Sequence, residues 1–375
     1  MIYLDYSANT PVDEAVLERF CAVERSCPGN ANSRHQAGAA AKTAIDEATQ
    51  SIARSLNVQP AEIIYTSGAS EANNFALKSI ARLERHHGKH IISTPLEHSS
   101  VSGSLTALQE QGYEIDLVDI RQDGTVDLAH LRELLRPDTI LVAVTAVDSE
   151  LGVVQPVAEI AALLKDYPHC HLHVDATQAV GKLPLPSFEG IDTLSLTAHK
   201  FYGLNGIGVL VKRRGLALEP LIHGGESTTI YRSGTPTVAL AASLETALNS
   251  AVNELPERSA RVKEANLYLR TALSKYPKVR INSPESAIPH ILNLSVENVK
   301  GTVFQRELDA EGVCVSVKSA CSSDGLPSRA VFAVSRDRRN ALSSWRISLS
   351  HRTTDEEITG FLQAFDACYR TLTQP

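Results

Sequence analysis

The sequence has little excess charge and no long apolar run, and these absences exclude classes of function. Its 375 residues include 36 basic and 43 acidic side chains, a formal net charge of −7. The chain therefore lacks the excess of basic residues that is typical of proteins that bind nucleic acid directly. The longest apolar stretches, such as residues 140–144, are far too short to span a bilayer, and the first residues lack the pattern of a signal peptide. We therefore expect a cytoplasmic protein without a membrane partner.

Paired cysteines are also missing. The six cysteines form no CxxC motif, and a chain of this length needs no disulfide, so we expect most of them to be buried thiols. His169, His171 and His173 crowd one segment, and metal binding there is an alternative. A strand that ends in Asp175 fits a cofactor site better, so no metal is expected.

An alternation of strand-like and helical segments runs from about residue 62 to 212. Several of the strand-like segments are rich in Ile, Val and Leu with little polar alternation, which is typical of a mainly parallel sheet covered by helices on both faces. Ligands bind beyond the carboxyl ends of such strands. Seven strands are predicted, at residues 62–66, 90–94, 114–119, 139–147, 171–176, 193–199 and 208–212.

The rest of the chain predicts a smaller α+β domain. Helices are expected at residues 238–252, 257–274 and 355–370, and strands at 291–296, 313–317 and 345–349. The length suits one large or two medium domains. We predict a large domain at 15–256 and a small domain made of 1–14 and 257–375.

Lys200 and Asp175 are the most informative pair of residues. Each follows or ends a predicted strand, which places an amine and a carboxylate at the same edge of the sheet. Pyridoxal phosphate needs this combination, because a lysine forms a Schiff base with its aldehyde and an aspartate pairs with its protonated pyridine nitrogen. The alternative for either residue alone is a solvated surface charge.

A phosphate site is predicted where the first strand turns into a helix. Gly68 permits the tight turn, and Ser70 is the predicted helix N-cap. Free backbone N–H groups and the positive helix end would bind a phosphate, with Thr197 and His199 as further donors. An ordinary capped helix is the alternative.

Two later residues are further candidates. Cys321 lies among small polar residues, a composition that suits an exposed loop and a nucleophilic thiol, although a buried structural cysteine is the alternative. Arg346 lies in a short apolar strand, where it needs an anionic partner. That partner is either a substrate carboxylate or a structural Asp or Glu.

With these residues the chain resembles the NifS/IscS-like cysteine desulfurases, class-V aminotransferases of pyridoxal-phosphate fold type I. The similarity extends from residue 3 to about residue 358. The motifs that carry it are YTSG (65–68), EH (97–98), ELG (150–152), HVDATQ (173–178), HK (199–200), RSGT (232–235), SAC (319–321) and RISL (346–349).

The resemblance implies a role for each matching residue around the cofactor. Lys200 is the Schiff-base residue and general base, His98 stacks on the pyridine ring, and Asp175 holds the ring nitrogen. Gln178 contacts the phenolic oxygen, as does Ser149, which replaces the usual Asn. The residues implied to bind phosphate are Ala69, Ser70, Thr197, His199 and, across a homodimer interface, Thr235.

The resemblance also implies the reaction. Arg346 and Asn32 hold the carboxylate of L-cysteine, and Cys321 takes its sulfur as a persulfide, leaving L-alanine. The alternatives are a selenocysteine lyase or cysteine β-lyase that releases free selenide or sulfide, and a non-catalytic homologue. Because the chain ends soon after its last helix, we expect the sulfur acceptor to belong to a dedicated pathway, such as tRNA thiolation or DNA phosphorothioation, rather than to the usual iron–sulfur scaffold.

Overall fold

A seven-stranded sheet and two smaller sheets organise the protein. The computed structural model describes residues 1–185, 188–225, 227–318 and 326–373. Its strands are β1 (Ile2–Tyr3), β2 (Ile63–Thr66), β3 (His90–Ser93), β4 (Glu114–Leu117), β5 (Thr139–Thr145), β6 (His171–Asp175), β7 (Thr193–Thr197), β8 (Gly208–Lys212), β9 (Val279–Ile281), β10 (Ile291–Val296), β11 (Val313–Cys314) and β12 (Ser344–Ser348).

The helices cover the sheets and fill the connections between strands. They are α1 (Glu14–Ser26), α2 (Gln36–Leu56), α3 (Ala69–Glu84), α4 (Ser99–Gln109), α5 (Leu128–Leu134), α6 (Val157–Leu164), α7 (Val238–Asn253), α8 (Leu255–Leu273), α9 (Gly301–Ala310), α10 (Arg329–Ser335), α11 (Arg338–Ser343) and α12 (Asp355–Thr373). Among the described residues, none of these helices is long and apolar enough to cross a membrane.

The large sheet has the strand order β2-β8-β7-β6-β5-β3-β4. Its neighbouring strands pair in parallel except at β8, which runs antiparallel to β2 and β7. All seven residues of β5 are buried, as expected for a strand with helices on both faces. The predicted α/β fold with a mainly parallel seven-stranded sheet is confirmed.

The predicted strands differ from the observed ones mainly at their ends. Glu62 was predicted to begin a strand, but residues Pro60–Glu62 form a 3-10 turn in which the Glu62 carboxylate accepts from the Gln59 N–H at 2.9 Å. Proline suits the first position of such a turn, since its missing N–H would have no partner there. The strand before Lys200 was also predicted too long, because Ala198–Lys200 form a second 3-10 turn.

The second part of the chain forms a three-stranded antiparallel sheet, β12-β10-β9, and a parallel β1–β11 pair. Its buried core includes Leu4, Phe304, Trp345 and Phe361, and the Phe304 and Trp345 rings stack with centroids 5.1 Å apart. Through β1, the first residues of the chain pack into this core. The division into domains at 15–256 and at 1–14 with 257–375 stays a prediction.

Parallel pairing brings several strand ends to one edge of the large sheet. β5, β6 and β7 end at Thr145, Asp175 and Thr197, and Thr197 pairs with Gly208 at the start of the antiparallel β8. Side chains at this edge surround a cavity.

Candidate active site

A cavity of about 310 Å³ lies beyond the carboxyl ends of these strands. It brings together ten of the residues singled out in the sequence. They are Ala69, Ser70, His98, Ser149, Asp175, Gln178, Thr197, His199, Lys200 and Arg346.

Lys200 extends from the 3-10 turn after β7 into this cavity. Its Nζ donates to the backbone carbonyls of Ser7 at 2.7 Å and Ala8 at 2.6 Å. The segment that supplies these carbonyls is held close to the turn, because the Thr10 backbone N–H donates to the His199 carbonyl at 2.9 Å. The amine is therefore held by neutral carbonyl dipoles contributed from nearly 200 residues away in the sequence.

Asp175 forms part of a buried hydrogen-bond network centred on Asn73. Asn73 Nδ2 donates to Asp175 Oδ2 at 2.8 Å, and the second oxygen of Asp175 accepts from the Thr177 backbone N–H at 2.9 Å. Asn73 Oδ1 lies 2.9 Å from His173 Nε2 and 2.5 Å from Ser195 Oγ. The carboxylate of Asp175 thus has a fixed orientation.

Asn73 is a site residue that the sequence analysis missed. It is fully buried on α3, one turn after Ser70. Its neighbours on the buried face of α3, such as Ala72 and Ala76, are apolar. An amide on that face could have indicated a site residue, since a buried amide must find hydrogen-bond partners.

The turn into α3 lies at the edge of the cavity where a phosphate site is predicted, and its N-cap differs from the predicted one. The N-cap of α3 is Gly68 at φ 154°, and Ser70 lies inside the first turn. Glycine is required here because this backbone conformation disfavours a side chain. A Cβ built on Gly208 would lie 2.7 Å from the Gly68 Cα, so a second glycine on β8 allows the close approach.

Thr197 and His199 lie opposite the first turn of α3. Thr197 Oγ1 lies 3.1 Å from His199 Nδ1 and 3.2 Å from the Ile207 carbonyl. Burial, together with the positive charges of Lys200 and Lys182, lowers the pKa of His199 to about 4. His199 is therefore a neutral hydrogen-bonding group at pH 7.

His98 lines another wall of the cavity at the N-cap of α4. Its Nδ1 accepts from the Ser100 backbone N–H at 3.2 Å, so Nε2 carries the proton of the neutral ring. Burial lowers the pKa of His98, and the Lys200 charge lowers it further, while Asp175 opposes this shift. The ring is held in one tautomer.

Gln178 is held between the N-terminal segment and a buried lysine. Its Nε2 donates to the Ser7 carbonyl at 2.9 Å, and its Oε1 accepts from Lys182 Nζ. Burial lowers the pKa of Lys182 well below its ordinary value, and the charges of Lys200 and Arg346 act in the same direction.

Arg346 has a structural carboxylate partner as well as a place in the cavity wall. Its Nη2 donates to Asp5 Oδ1 at 2.8 Å, and its Nη1 donates to the Ser149 carbonyl at 2.8 Å. The side chain is 2% exposed, and its Nε has no hydrogen-bond partner within the part of the chain that the structure describes. Of the two partners considered for Arg346, the structural acid is present, and the guanidinium still faces the cavity.

Two buried acids, Glu97 and Asp148, and the partly buried Glu150 lie behind the cavity. Desolvation by burial raises the pKa of Glu97 to about 8 and that of Asp148 to about 7, and it also raises the pKa of Glu150. Glu97 Oε1 accepts from the Thr145 backbone N–H at 2.8 Å, whereas its Oε2 is buried and has no hydrogen-bond partner among the described residues. Glu97 and Glu150 belong to the EH and ELG motifs, but the burial of Glu97 could not be read from the sequence.

Comparison with known proteins agrees with this geometry. The family model for class-V aminotransferases matches residues 2–361. The chain belongs to the class-V aminotransferase family. It is 37% identical to the cysteine desulfurase IscS of Dictyoglomus turgidum over 97% of this chain and 93% of that one, and 40% identical to IscS of Proteus mirabilis over 95% and 90%.

Solved structures place this family member in the same group. A NifS-like protein superposes with a TM-score of 0.93 at 33% identity, covering 99% of this chain and all of the other. SspA in complex with cysteine superposes with a TM-score of 0.83 at 30% identity, covering 94% of this chain and all of the other. The predicted membership in the NifS/IscS-like cysteine desulfurase group is confirmed.

Two predicted site residues of this class-V aminotransferase lie outside the cavity, and a third falls outside the described residues. Asn32 and Thr235 are exposed and lie outside it, although Arg232, near Thr235, pairs at 3.0 Å with Glu71 on the cavity rim. Cys321 lies outside the described residues. The roles predicted for these three residues therefore stay predictions.

The five described cysteines form no disulfide. Cys170 and Cys368 are buried, whereas Cys21, Cys27 and Cys314 are partly exposed. The expectation that most thiols are buried holds for only two of these five.

Proposed function

We propose that this protein is a pyridoxal-phosphate-dependent cysteine desulfurase that converts L-cysteine to L-alanine and keeps the sulfur as a persulfide on Cys321. The observation that carries the proposal is the meeting of Lys200 and Asp175 with the first turn of α3 in one cavity. The relatives named above, cysteine desulfurases and a protein solved with cysteine, support the substrate.

The residues present suit pyridoxal phosphate. Lys200 would hold its aldehyde and Asp175 its pyridine nitrogen. The N–H groups at the start of α3 would hold its phosphate together with Thr197 and His199, because the first N–H groups of a helix lack intrahelical acceptors. The bound cofactor supplies an electron sink for amino-acid chemistry. Gln178 and Ser149 would contact the phenolic oxygen of the cofactor.

Arg346 would bind the carboxylate of L-cysteine. Its Nη1 and Nη2 each use one N–H for Ser149 and Asp5, and each terminal nitrogen carries a second N–H. A substrate anion would therefore add to the Asp5 pair without replacing it. We keep Asn32 as a second carboxylate contact, to be tested separately.

Lys200 would transfer the substrate proton, and His98 would support the cofactor ring. Lys200 would take the proton from the substrate α-carbon, and its position in the cavity, where two carbonyls hold its amine, supports this role. His98 bears its proton on Nε2, the nitrogen turned away from Ser100. It would stack on the ring and stabilise its charge.

Sulfur transfer is a bond exchange between two sulfur atoms and a carbon. The Cys321 thiolate forms a bond to the substrate sulfur while the Cβ–S bond breaks. The electron pair of that bond stays with the substrate carbon, which takes up a proton and leaves as alanine. Lys318 lies three residues before Cys321 in the sequence and brings a positive charge to this segment. Its Nζ donates to the Leu326 carbonyl at 3.0 Å. Positive charge favours the thiolate.

The test combines product and adduct analysis. The purified protein is loaded with pyridoxal phosphate and incubated with L-cysteine, alanine is quantified, and persulfide is mapped by mass spectrometry. Borohydride reduction should add the cofactor mass to the peptide that contains Lys200. We expect alanine together with persulfide on Cys321.

Matched variants separate the alternatives. Cys321→Ser should abolish persulfide and alanine formation, whereas Cys27→Ser, a partly exposed thiol elsewhere, should change neither. Free sulfide released together with pyruvate and ammonia by Cys321→Ser would instead establish a β-lyase, because that elimination leaves the sulfur at the oxidation level of sulfide. Loaded protein that forms neither alanine nor pyruvate would overturn both readings.

A homodimer and an acceptor protein complete the proposal. Thr235 is exposed in this chain, and Arg232 ties its segment to Glu71 at the cavity rim, which suits a contribution to the phosphate site of a second copy. Light scattering should give twice the 40.5 kDa chain mass. Thr235→Ala should weaken cofactor binding while leaving that mass unchanged. A monomer that binds cofactor fully would contradict the dimer.

A further inference from the structure

The strand that ends in Asp175 begins, at its other end, inside a cluster of histidines and acids. β6 starts at His171, whose Nε2 lies 3.6 Å from Glu84 Oε1 and whose Nδ1 lies 3.2 Å from Asp192 Oδ1. Glu84 is the last residue of α3, the helix whose first turn lines the cavity. The cluster thus joins the far ends of two elements that form the active site.

Two more histidines directly follow the end of α3. His87 Nδ1 lies 2.7 Å from Glu84 Oε2, and the ligand atoms of Glu84, His86 and His87 all lie within 4.8 Å of one another. The His87 ring also stacks on His169, with centroids 3.6 Å apart and planes 14° from parallel. Four imidazoles therefore gather beside two carboxylates.

The hydrogen bonds orient one ring for metal binding. His86 Nδ1 lies 2.9 Å from the Leu83 carbonyl, so this nitrogen carries the proton and Nε2 presents a lone pair. A backbone carbonyl that holds the second nitrogen is the usual support of a metal-ligating histidine. Glu84 and His87 are only partly exposed, whereas His86 is exposed.

We propose that Glu84, His86 and His87 bind one divalent transition-metal ion of the Zn²⁺ class, with His171 beside them as a fourth donor. Imidazole nitrogen and carboxylate oxygen are established Zn²⁺ ligands at roughly 2.0–2.2 Å, which sets neighbouring donors roughly 3.4 Å apart. The ligand atoms lie within 4.8 Å of one another, so they must approach by about an ångström to bind one ion. A small rotation of the exposed His86 side chain would supply this movement.

The ion would connect α3 to β6 at the edge of the sheet away from the cavity. At the cavity end the same two elements are already joined by the Asn73–Asp175 hydrogen bond. An ion that binds the folded chain selectively raises its stability in proportion to its affinity and concentration. Because it lies at the opposite end of β6, the site does not depend on the reaction in the cavity.

The experiment uses the cofactor-loaded Cys321→Ser protein, which lacks the proposed reactive thiol, after dialysis against a chelator. Co²⁺ is titrated and followed by visible absorption, since thiolate ligands add a strong near-ultraviolet band that nitrogen and oxygen ligands lack. We expect one Co²⁺ per chain without that band, displacement by Zn²⁺, and a Zn²⁺-dependent rise in the thermal midpoint.

Variants decide whether the cluster is responsible. His86→Ala/His87→Ala and the shape-preserving Glu84→Gln should each weaken Co²⁺ binding at least tenfold and remove the thermal effect. His130→Ala/His223→Ala, two histidines outside the cluster, should change neither. Unchanged binding in the first pair, a thiolate spectrum, or no stoichiometric binding by folded protein would each overturn the site.

Discussion

The guanidinium of Arg346 and the carboxylate of Asp5 form a 2.8 Å ion pair between residues 341 positions apart in the chain. Asp5 is further held by Ser316, whose Oγ donates to Asp5 Oδ2 at 2.7 Å. The pair anchors the segment that supplies the Ser7 and Ala8 carbonyls to Lys200. One buried ion pair therefore connects Arg346, the proposed substrate-binding residue, to the segment that holds Lys200, the proposed cofactor-binding residue.

Removing the carboxylate of this pair should lower the stability of the protein and weaken substrate binding. We expect Asp5→Ala to lower the free energy of unfolding by about 3–5 kcal/mol, because it leaves a buried guanidinium charge without its partner. KM for L-cysteine should rise as well. Urea titration and steady-state kinetics measure both. Asp46→Ala, which breaks an exposed pair with Lys42, should cost only about 0.5 kcal/mol.

Asn73 should matter to the cofactor although it does not line the cavity. Asn73→Ala removes the donor to Asp175 and leaves His173 and Ser195 without their acceptor. We expect a loss of about 1–3 kcal/mol of stability and weaker binding of pyridoxal phosphate, measured by fluorescence titration. In the neighbouring control Asn74→Ala, whose amide donates to the Ser70 carbonyl, cofactor affinity should stay unchanged. Equal affinity in both variants would argue against a positioning role.

Glu97 should make stability depend on pH. Its pKa is raised from 4.5 to about 8 in the folded protein, so between these values the native state keeps a proton that the unfolded chain has lost. The stabilisation from this proton is complete below pH 4.5 and is lost as pH rises through 8. Relative to Glu97→Gln, which mimics the neutral acid, the wild type should lose at most about 1.4 kcal/mol per pH unit.

Urea unfolding of both proteins between pH 5 and 9 gives this difference directly. A difference that does not change with pH would show that Glu97 has an ordinary pKa in the folded protein.

Gly208 should be intolerant of even a methyl group. Its Cβ would lie 2.6 Å from the Leu196 carbonyl oxygen and 2.7 Å from the Gly68 Cα, so Gly208→Ala must displace the turn that is proposed to hold the cofactor phosphate. We expect at least tenfold weaker cofactor binding. The control is Gly103→Ala in α4, where nothing lies within 4 Å of the added Cβ and helix propensity should add about 0.5–1 kcal/mol of stability.

Local patterns in the sequence were sufficient for the elements and for much of the site. The run of residues 139–145, all apolar but for its terminal threonines, is fully buried as β5, and the strands around it were placed to within a few residues. Ten of the residues singled out reached one cavity. The N-cap of α3 was misplaced because a glycine with positive φ and a nearby serine both fit a helix start, and only the backbone angles distinguish them.

What the sequence by itself determined is therefore the chemistry available: a lysine and an aspartate at strand ends, a glycine turn before a helix, and an arginine in an apolar strand. Apolar periodicity predicts the strands and helices, and these place each of the residues at a strand end or helix start, because the pattern depends only on neighbours a few residues away. Only the tertiary structure decided that Asp5 pairs with Arg346, that Asn73 holds Asp175, and that Glu97 is buried with a raised pKa. Those properties depend on which distant segments exclude water from a charge, and desolvation is a property of the packed chain.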